Sequence, residues 1–267
     1  MPESRIDPSP ADSPDDRTEP PELDAVVARA TILECQLAAG VALMPFLAAR
    51  DDAARAREAV SAAARRSELA KWLVAKGLWP RMTDAERRFV EAAPHRVPPQ
   101  DLIDVSWSAE SLRVLLWALG HVEALAPYDV QAEPPREGRP WFFTGDGPPA
   151  ASKLRDGREI ERARDVAELW HWRSRTRELQ EDRTEVQLPE GETLDDVVRV
   201  VAMRAAQDGV FPFALADDFP VFGRPYREAS PDQWASLRSI VLERHKALNW
   251  LCGYAPGNRW DETPTDT

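Results

Sequence analysis

Residues 230–253 read SPDQWASLRSIVLERHKALNWLCG. Ser230-Pro-Asp-Gln233 has capping-box spacing, in which a hydroxyl and an amide three residues apart each satisfy the other's free backbone N–H. Pro231 sits in the first turn, where a missing N–H costs nothing, and Gly253 supplies the stop. Between these signals Leu237, Val241, Leu248, Leu251 and Cys252 fall within one apolar arc at about 100° per residue. Arg244 and His245 fall inside the same arc. A guanidinium cannot shed its proton, so burying it demands a carboxylate or carbonyl partner. An imidazole is buried at lower cost, because it can go in neutral.

Working back along the chain, the same helical period recurs. Leu23, Val26, Val27, Ala30 and Leu33 step by threes and fours toward Gly40, and an Ala- and Arg-rich helix is expected over 52–76. Thr83-Asp-Ala-Glu86 is a second capping box, opening a helix to about Ala92, and Pro94, Pro98 and Pro99 enforce a loop. Residues 108–119 (SAESLRVLLWAL) are apolar nearly all round, which places that helix centrally, with Ser106 or Ser108 as its cap and Gly120 as its stop. Its Glu110 shares a side with Val114 and Trp117. Glu110 is therefore the expected partner of Arg244, with Asp261 and Asp266 in the C-terminal stretch as rivals. Asp156-Gly-Arg-Glu159, another capping box, and Thr193 open two further helices, to about Gln180 and Asp208, and 210–229 reads as an aromatic, Pro-containing loop.

Residues 1–21 (MPESRIDPSPADSPDDRTEPP) almost lack large apolar groups and cannot bury enough surface to offset their ordering entropy, so a disordered tail is expected there. Residues 127–150 are Pro- and Gly-rich around an apolar island, Trp141-Phe-Phe143, readable as a short strand or as a hydrophobic latch. No strand–helix alternation and no repeat period is present. The expectation is a mainly α protein: one multi-helix globular domain over 22–267, with long Pro/Gly-rich loops and the tail at 1–21.

Composition narrows the function classes. A net charge of -12 opposes nucleic acid and anionic lipid over most of the surface. The densest basic group, Arg173, Arg175 and Arg177, spreads around its helix instead of forming a stripe. No apolar run is read as reaching the ~18 residues of a membrane span, and no signal-peptide pattern is seen. Cys35 and Cys252 lack metal spacing and read as buried thiols in a reducing, cytoplasmic compartment. Ten tryptophans, most of them in expected helices or the C-terminal segment, suit packing anchors. Nothing specifies an oligomeric state.

Chemistry-bearing motifs are sparse. His171 falls on an apolar side between Ile160 and Ala167 with Arg175 at i+4, so it reads either as a core histidine or as a base beside a cation. None of His95, His121, His171 and His245 forms an HxxxH or HxxE pair, so no metal is expected. The stretch 260–267 (WDETPTDT) carries three carboxylates and three hydroxyls, but its spacing fits no calcium loop and a docked segment is expected. No G-x-S-x-G, Walker loop or GxGxxG occurs, and no cofactor is expected.

Glu243-Arg-His-Lys-Ala-Leu-Asn-Trp-Leu251, Gly253-Tyr254, Trp260-Asp261 and Thr265-Asp-Thr267 together resemble the closing signature of the bacterial domain-of-unknown-function family 4272. Trp107-Ser-Ala-Glu110 with Leu115-Leu-Trp-Ala-Leu-Gly120, Glu168-Leu-Trp-His-Trp172, and Leu78-Trp79 with Thr83 and Glu86 resemble its other blocks, over roughly residues 25–267. The resemblance implies a shared helical fold and no known activity. Its recurrent polar positions correspond to Glu110, His171, Glu243, Arg244, Asn249, Asp261 and Asp266. Two functional expectations follow. In the first, the chain is a non-catalytic intracellular module that binds another protein, with Glu110, Glu243, Arg244 and Asn249 as a structural polar network. In the second, Glu110, His171, Arg244, Asp261 and Asp266 line the pocket of an enzyme of unassigned reaction.

Overall fold

A computed structural model describes residues 18–132, 153–189 and 191–265. Residues 1–17, the Trp141-Phe-Phe143 island and Asp266 lie outside the described residues. In chain order the helices are α1 (Leu23–Val41), α2 (Met44–Ala48), α3 (Asp52–Ala75), α4 (Asp84–Glu91), α5 (Pro99–Ala118), α6 (Gly157–Glu181), α7 (Leu194–Gln207) and α8 (Pro231–Leu251). A two-residue antiparallel pair, β1 (Pro220–Val221) with β2 (Arg224–Pro225), lies in the segment expected to be a loop. The fold is mainly α.

α8 packs between α5 and α6, and α5 in turn packs on α1. Leu33 and Leu37 of α1, Leu112 and Leu115 of α5, and Leu248 and Leu251 of α8 share one cluster with Trp117, Trp250 and Trp260. The other side of α1, through Ile32, Cys35 and Ala39, meets Leu69 and Leu73 of α3 and Phe89 of α4. A third cluster joins Trp170 of α6, Ala202 of α7 and Leu237 and Val241 of α8 around Phe211, Phe219 and Tyr226. Each large side chain taken out of water in this way contributes about 1.5–3 kcal/mol.

α1 corrects the membrane-length reading. Leu23–Ala48 reaches a mean hydropathy of 1.6, long and apolar enough by composition to cross a membrane, and 67% of that apolar window is buried within the fold. A helix lying between two core clusters must be apolar on both sides, so its composition exceeds that of a helix with one buried face.

The expected helix starts hold at α4, α7 and α8, whose capping boxes are complete. Two differ. α5 begins at Pro99, not near Ser108: Pro is pre-organised for the first turn, and Ser106 and Ser108 lie inside the helix, donating to Ile103 O and Val105 O at 2.7 Å. At α6 Asp156 caps Arg158 N, while Glu159 pairs with Arg155 at 2.8 Å instead of closing a box. The C-terminus of α4 is closed from outside: buried Arg66 of α3 donates to Phe89 O and, at 3.4 Å, to Val90 O. Burial pushes this guanidinium down to about 10.

Residues 18–21, expected in the tail, are fastened to the end of α8. Thr18 N–H donates to Gly253 O at 2.8 Å, the Thr18 hydroxyl reaches the same oxygen at 2.9 Å, and Asn258 Nδ2 donates to Glu19 O at 3.1 Å. Gly253 is obligatory on two counts. Its φ is 80°, and a Cβ there would stand 2.2 Å from Thr18 O. Gly253→Ala should therefore lower stability by about 1–3 kcal/mol and release the strap. Chemical denaturation and faster proteolytic cleavage ahead of Leu23 would show both; an unchanged midpoint with an equally protected strap would contradict this account.

Candidate functional site

The α8 guanidinium finds its expected partner. Arg244 Nε donates to Glu110 Oε2 at 2.8 Å, and the two side chains are 1% and 0% exposed. The pair does more than neutralise itself. Arg244 Nη1 donates to Ala126 O at 2.5 Å and reaches Pro127 O at 3.3 Å, and Nη2 donates to Val130 O at 2.9 Å. Glu110 Oε1 accepts from Ala132 N–H at 2.5 Å. Tyr128 lies under the guanidinium at 4.9 Å and stacks on Trp170. Burial, opposed by Arg244 and aided by Glu110, pushes the Tyr128 hydroxyl up from its ordinary range. One ion pair between α5 and α8 thus holds the backbone from Ala126 to Ala132.

The neighbouring network residues serve α8 separately. Ser111 donates to Glu243 Oε2 at 2.6 Å, and burial pushes the Glu243 carboxyl up against the opposing effects of Lys246 and Ser111. Asn249 accepts from Arg164 Nε at 3.0 Å and donates to Pro264 O at 2.9 Å, tying the C-terminal stretch to α6 and α8. Arg164 also pairs with Glu168 at 2.8 Å and lies 4.5 Å over Tyr254.

His171 is not beside a cation at i+4. Arg175 is exposed and pairs with Glu178, while His171 Nδ1 stands 3.0 Å from Nδ1 of His245. At that separation one ring donates and the other accepts. Among the described residues His245 Nε2 has no hydrogen-bond partner. A bare lone pair is less costly to bury than a bare N–H, so we assign the proton to Nδ1 of His245 with His171 accepting. Burial, then His171 and Arg164, push His245 down to about 3 from an ordinary 6.5.

Asp261, the remaining described candidate, is exposed and far from this group in role. It lines an open cleft of about 480 Å³ with Arg29, Arg81, Arg87 and Arg259, floored by Trp250 and Trp260. A second cleft, of about 420 Å³, lies between the end of α6 and the start of α7. Glu110, His171, Arg244 and His245 line neither. Among the described residues no group of three or more metal-ligating side chains converges.

A second buried ion pair was not anticipated. Arg173 grips both oxygens of Asp218, at 2.6 and 2.8 Å, and Asp218 also accepts from Phe219 N–H and Arg227 N–H. Arg177 donates to Tyr226 O at 3.0 Å and Ala229 O at 2.9 Å. Two of the three arginines read as a candidate basic patch are thus interior. The usable signal was the spacing of Ala167, Trp170, Arg173 and Arg177, which puts both arginines in phase with apolar residues.

The histidine pair has a pH consequence. The unfolded chain protonates His245 near 6.5, whereas the folded site takes a proton only near 3. Between these values the unfolded state binds more protons. The stability from burying neutral His245 is therefore fully present above about 6.5 and is lost as pH falls toward 3. Unfolding free energies measured at steps from pH 7 to pH 4 should decline by a few kcal/mol, and His245→Phe should flatten that decline. An equally steep decline in the variant would rule out His245 as its source.

The model of a family described as Domain of unknown function (DUF4272) matches residues 9–206. The match begins inside the stretch read as a tail and takes in Glu110 and His171. It ends before α8, so the closing block that carried much of the resemblance lies beyond it. No curated protein and no solved structure matches the chain. Because the match spans well over half of its length, the chain belongs to the DUF4272 family.

Proposed function

We propose that this chain is a non-catalytic helical interaction module acting inside the cell. The reading is carried by the sealing of the Glu110–Arg244 group. Both oxygens of Glu110 and all three nitrogens of Arg244 are spent on protein groups, in side chains at most 1% exposed. A general acid or base must reach the proton it moves, directly or through one water. A guanidinium that recognises substrate must present its fork. Here the fork faces the protein's own backbone. The burial of both cysteines, Cys35 and Cys252, accords with a reducing compartment.

One observation favours the enzyme reading: Asp261 opens onto the arginine-lined cleft. Catalysis, if this chain performs it, would be centred on that cleft and not on Glu110.

Glu110→Gln tests the structural role. The change keeps the shape and strands a buried cation, at a cost of about 3–5 kcal/mol. For a domain of this size that lowers the melting temperature by roughly 10 °C. Arg244→Met should cost a similar amount, and the double variant should fall little further, because both singles break one unit. Scanning calorimetry of the four proteins checks this. A Glu110→Gln protein that melts like the parent would overturn the structural role.

A further inference from the structure

The stretch between α6 and α7 has the side-chain spacing of a strand and no strand beside it. Thr184, Val186 and Leu188 line the cleft of about 420 Å³ at this junction, while Glu185 and Gln187 between them are exposed and do not. Side chains that change sides with a period of two belong to an extended chain. Leu179 of α6 and Leu194 of α7 line the same cleft and, like Val186 and Leu188, are half-buried. Among the described residues the backbone N–H and C=O groups of Glu185, Val186, Gln187 and Leu188 form no hydrogen bond. An extended edge with open backbone groups beside an apolar cleft is a template for one more strand.

Charge indicates which strand fits. Residues 178–196 hold eight Asp and Glu against one Arg, in a chain whose net charge is -12. The arginines to either side do not offset this. Arg173 and Arg177 are buried and taken up by Asp218, Tyr226 O and Ala229 O, with Arg177 also reaching Glu181 at 3.5 Å. Arg175 pairs with Glu178, and Arg199 with Asp196. Exposed Asp182, Glu185, Glu192 and Asp195 remain without an ion pair among the described residues, against the single unpaired cation Arg183. A second copy of the chain fits poorly, because edge against edge about a two-fold axis sets these carboxylates against themselves.

We propose that residues 184–188 pair with an extended, basic segment of a partner protein. That segment completes the open backbone hydrogen bonds of residues 185–188. Its alternate apolar side chains enter the cleft against Leu179, Val186, Leu188 and Leu194, and its Lys or Arg side chains meet Asp182, Glu185, Glu192 and Asp195. The proposal rests on the interaction-module reading and names the surface and the partner chemistry that would serve it.

Site-specific photo-crosslinking with the full chain in its native cells tests it. The photoreactive residue p-benzoylphenylalanine replaces Gln187 or, as controls, Leu47 on α2, Val200 on α7 or Leu242 on α8, all exposed. Adducts at 187 should map by mass spectrometry to a segment with excess Lys and Arg beside apolar residues. Combining Glu185→Lys with Glu192→Lys should cut their yield by about tenfold, as expected when charge complementarity guides encounter. The melting temperature should not change, because both side chains are exposed and unpaired among the described residues. A synthetic peptide of the mapped segment should slow amide hydrogen exchange at residues 185–188 of the full chain by about tenfold or more. Adducts at 187 to an acidic segment, to a second copy of this chain or to its own residues would overturn the proposal. So would yields indifferent to the charge reversal, or a bound peptide that leaves those amides unprotected. Adducts at the control positions alone would overturn it and leave the interaction-module reading standing. Adducts at none of the four positions would overturn both.

Discussion

Arg244 enters the interior carrying a charge it cannot lose, and the arrangement around it follows from that constraint. Its Nε faces Glu110 on α5, so the register of α8 against α5 is set by one ion pair. Its remaining nitrogens face the carbonyls of Ala126, Pro127 and Val130. Those groups belong to a segment without regular structure and with no ladder to satisfy them. Shifting α8 by one residue would turn the guanidinium by about 100° away from all of these partners. A buried pair of this kind adds little net stability, because desolvation offsets most of the attraction. Its effect is to exclude alternative packings of the same helices.

The same device recurs. Arg177 reaches Tyr226 O and Ala229 O, Arg66 reaches the last carbonyls of α4, and Arg29 joins Glu86 to Arg81 O. Arg155 does likewise for Trp117, Val122 and Glu123. Buried carbonyls must be paired. With only one two-residue strand pair among the described residues, irregular segments find few backbone partners in one another. The fork of an arginine, with five donors and no acceptor, is suited to the task. Flat aromatic faces complete several of these sites, with Tyr128, Trp234 and Tyr254 each within 5 Å of a guanidinium. The buried arginines are therefore architectural.

Periodicity made the helices readable, and with them the conflict at Arg244, because a charge in phase with Leu237, Val241 and Leu248 has few places to go. Glu110 was readable for the same reason. The Arg173–Asp218 pair was not, since Asp218 sits between Leu215 and Phe219 in a segment with no period from which to infer burial. The contact of His171 with His245 was also out of reach, although each ring separately reads as interior. Phase around one helix says which face is buried, and which residue it meets depends on the angle between helices. Ser106 and Ser108 misled for a different reason: a serine can cap a helix or bond back within one, and only Pro99 separates the two.

The buried arginines also change how the net charge should be read. Arg29, Arg66, Arg164, Arg173, Arg177 and Arg244 are withdrawn from the surface, along with four carboxylates, Glu34, Glu86, Glu110 and Asp218. The solvent face is thus more acidic than the overall count of -12 suggests. The cations that fix the packing are kept from water, so what solvent or a partner meets is dominated by exposed carboxylates.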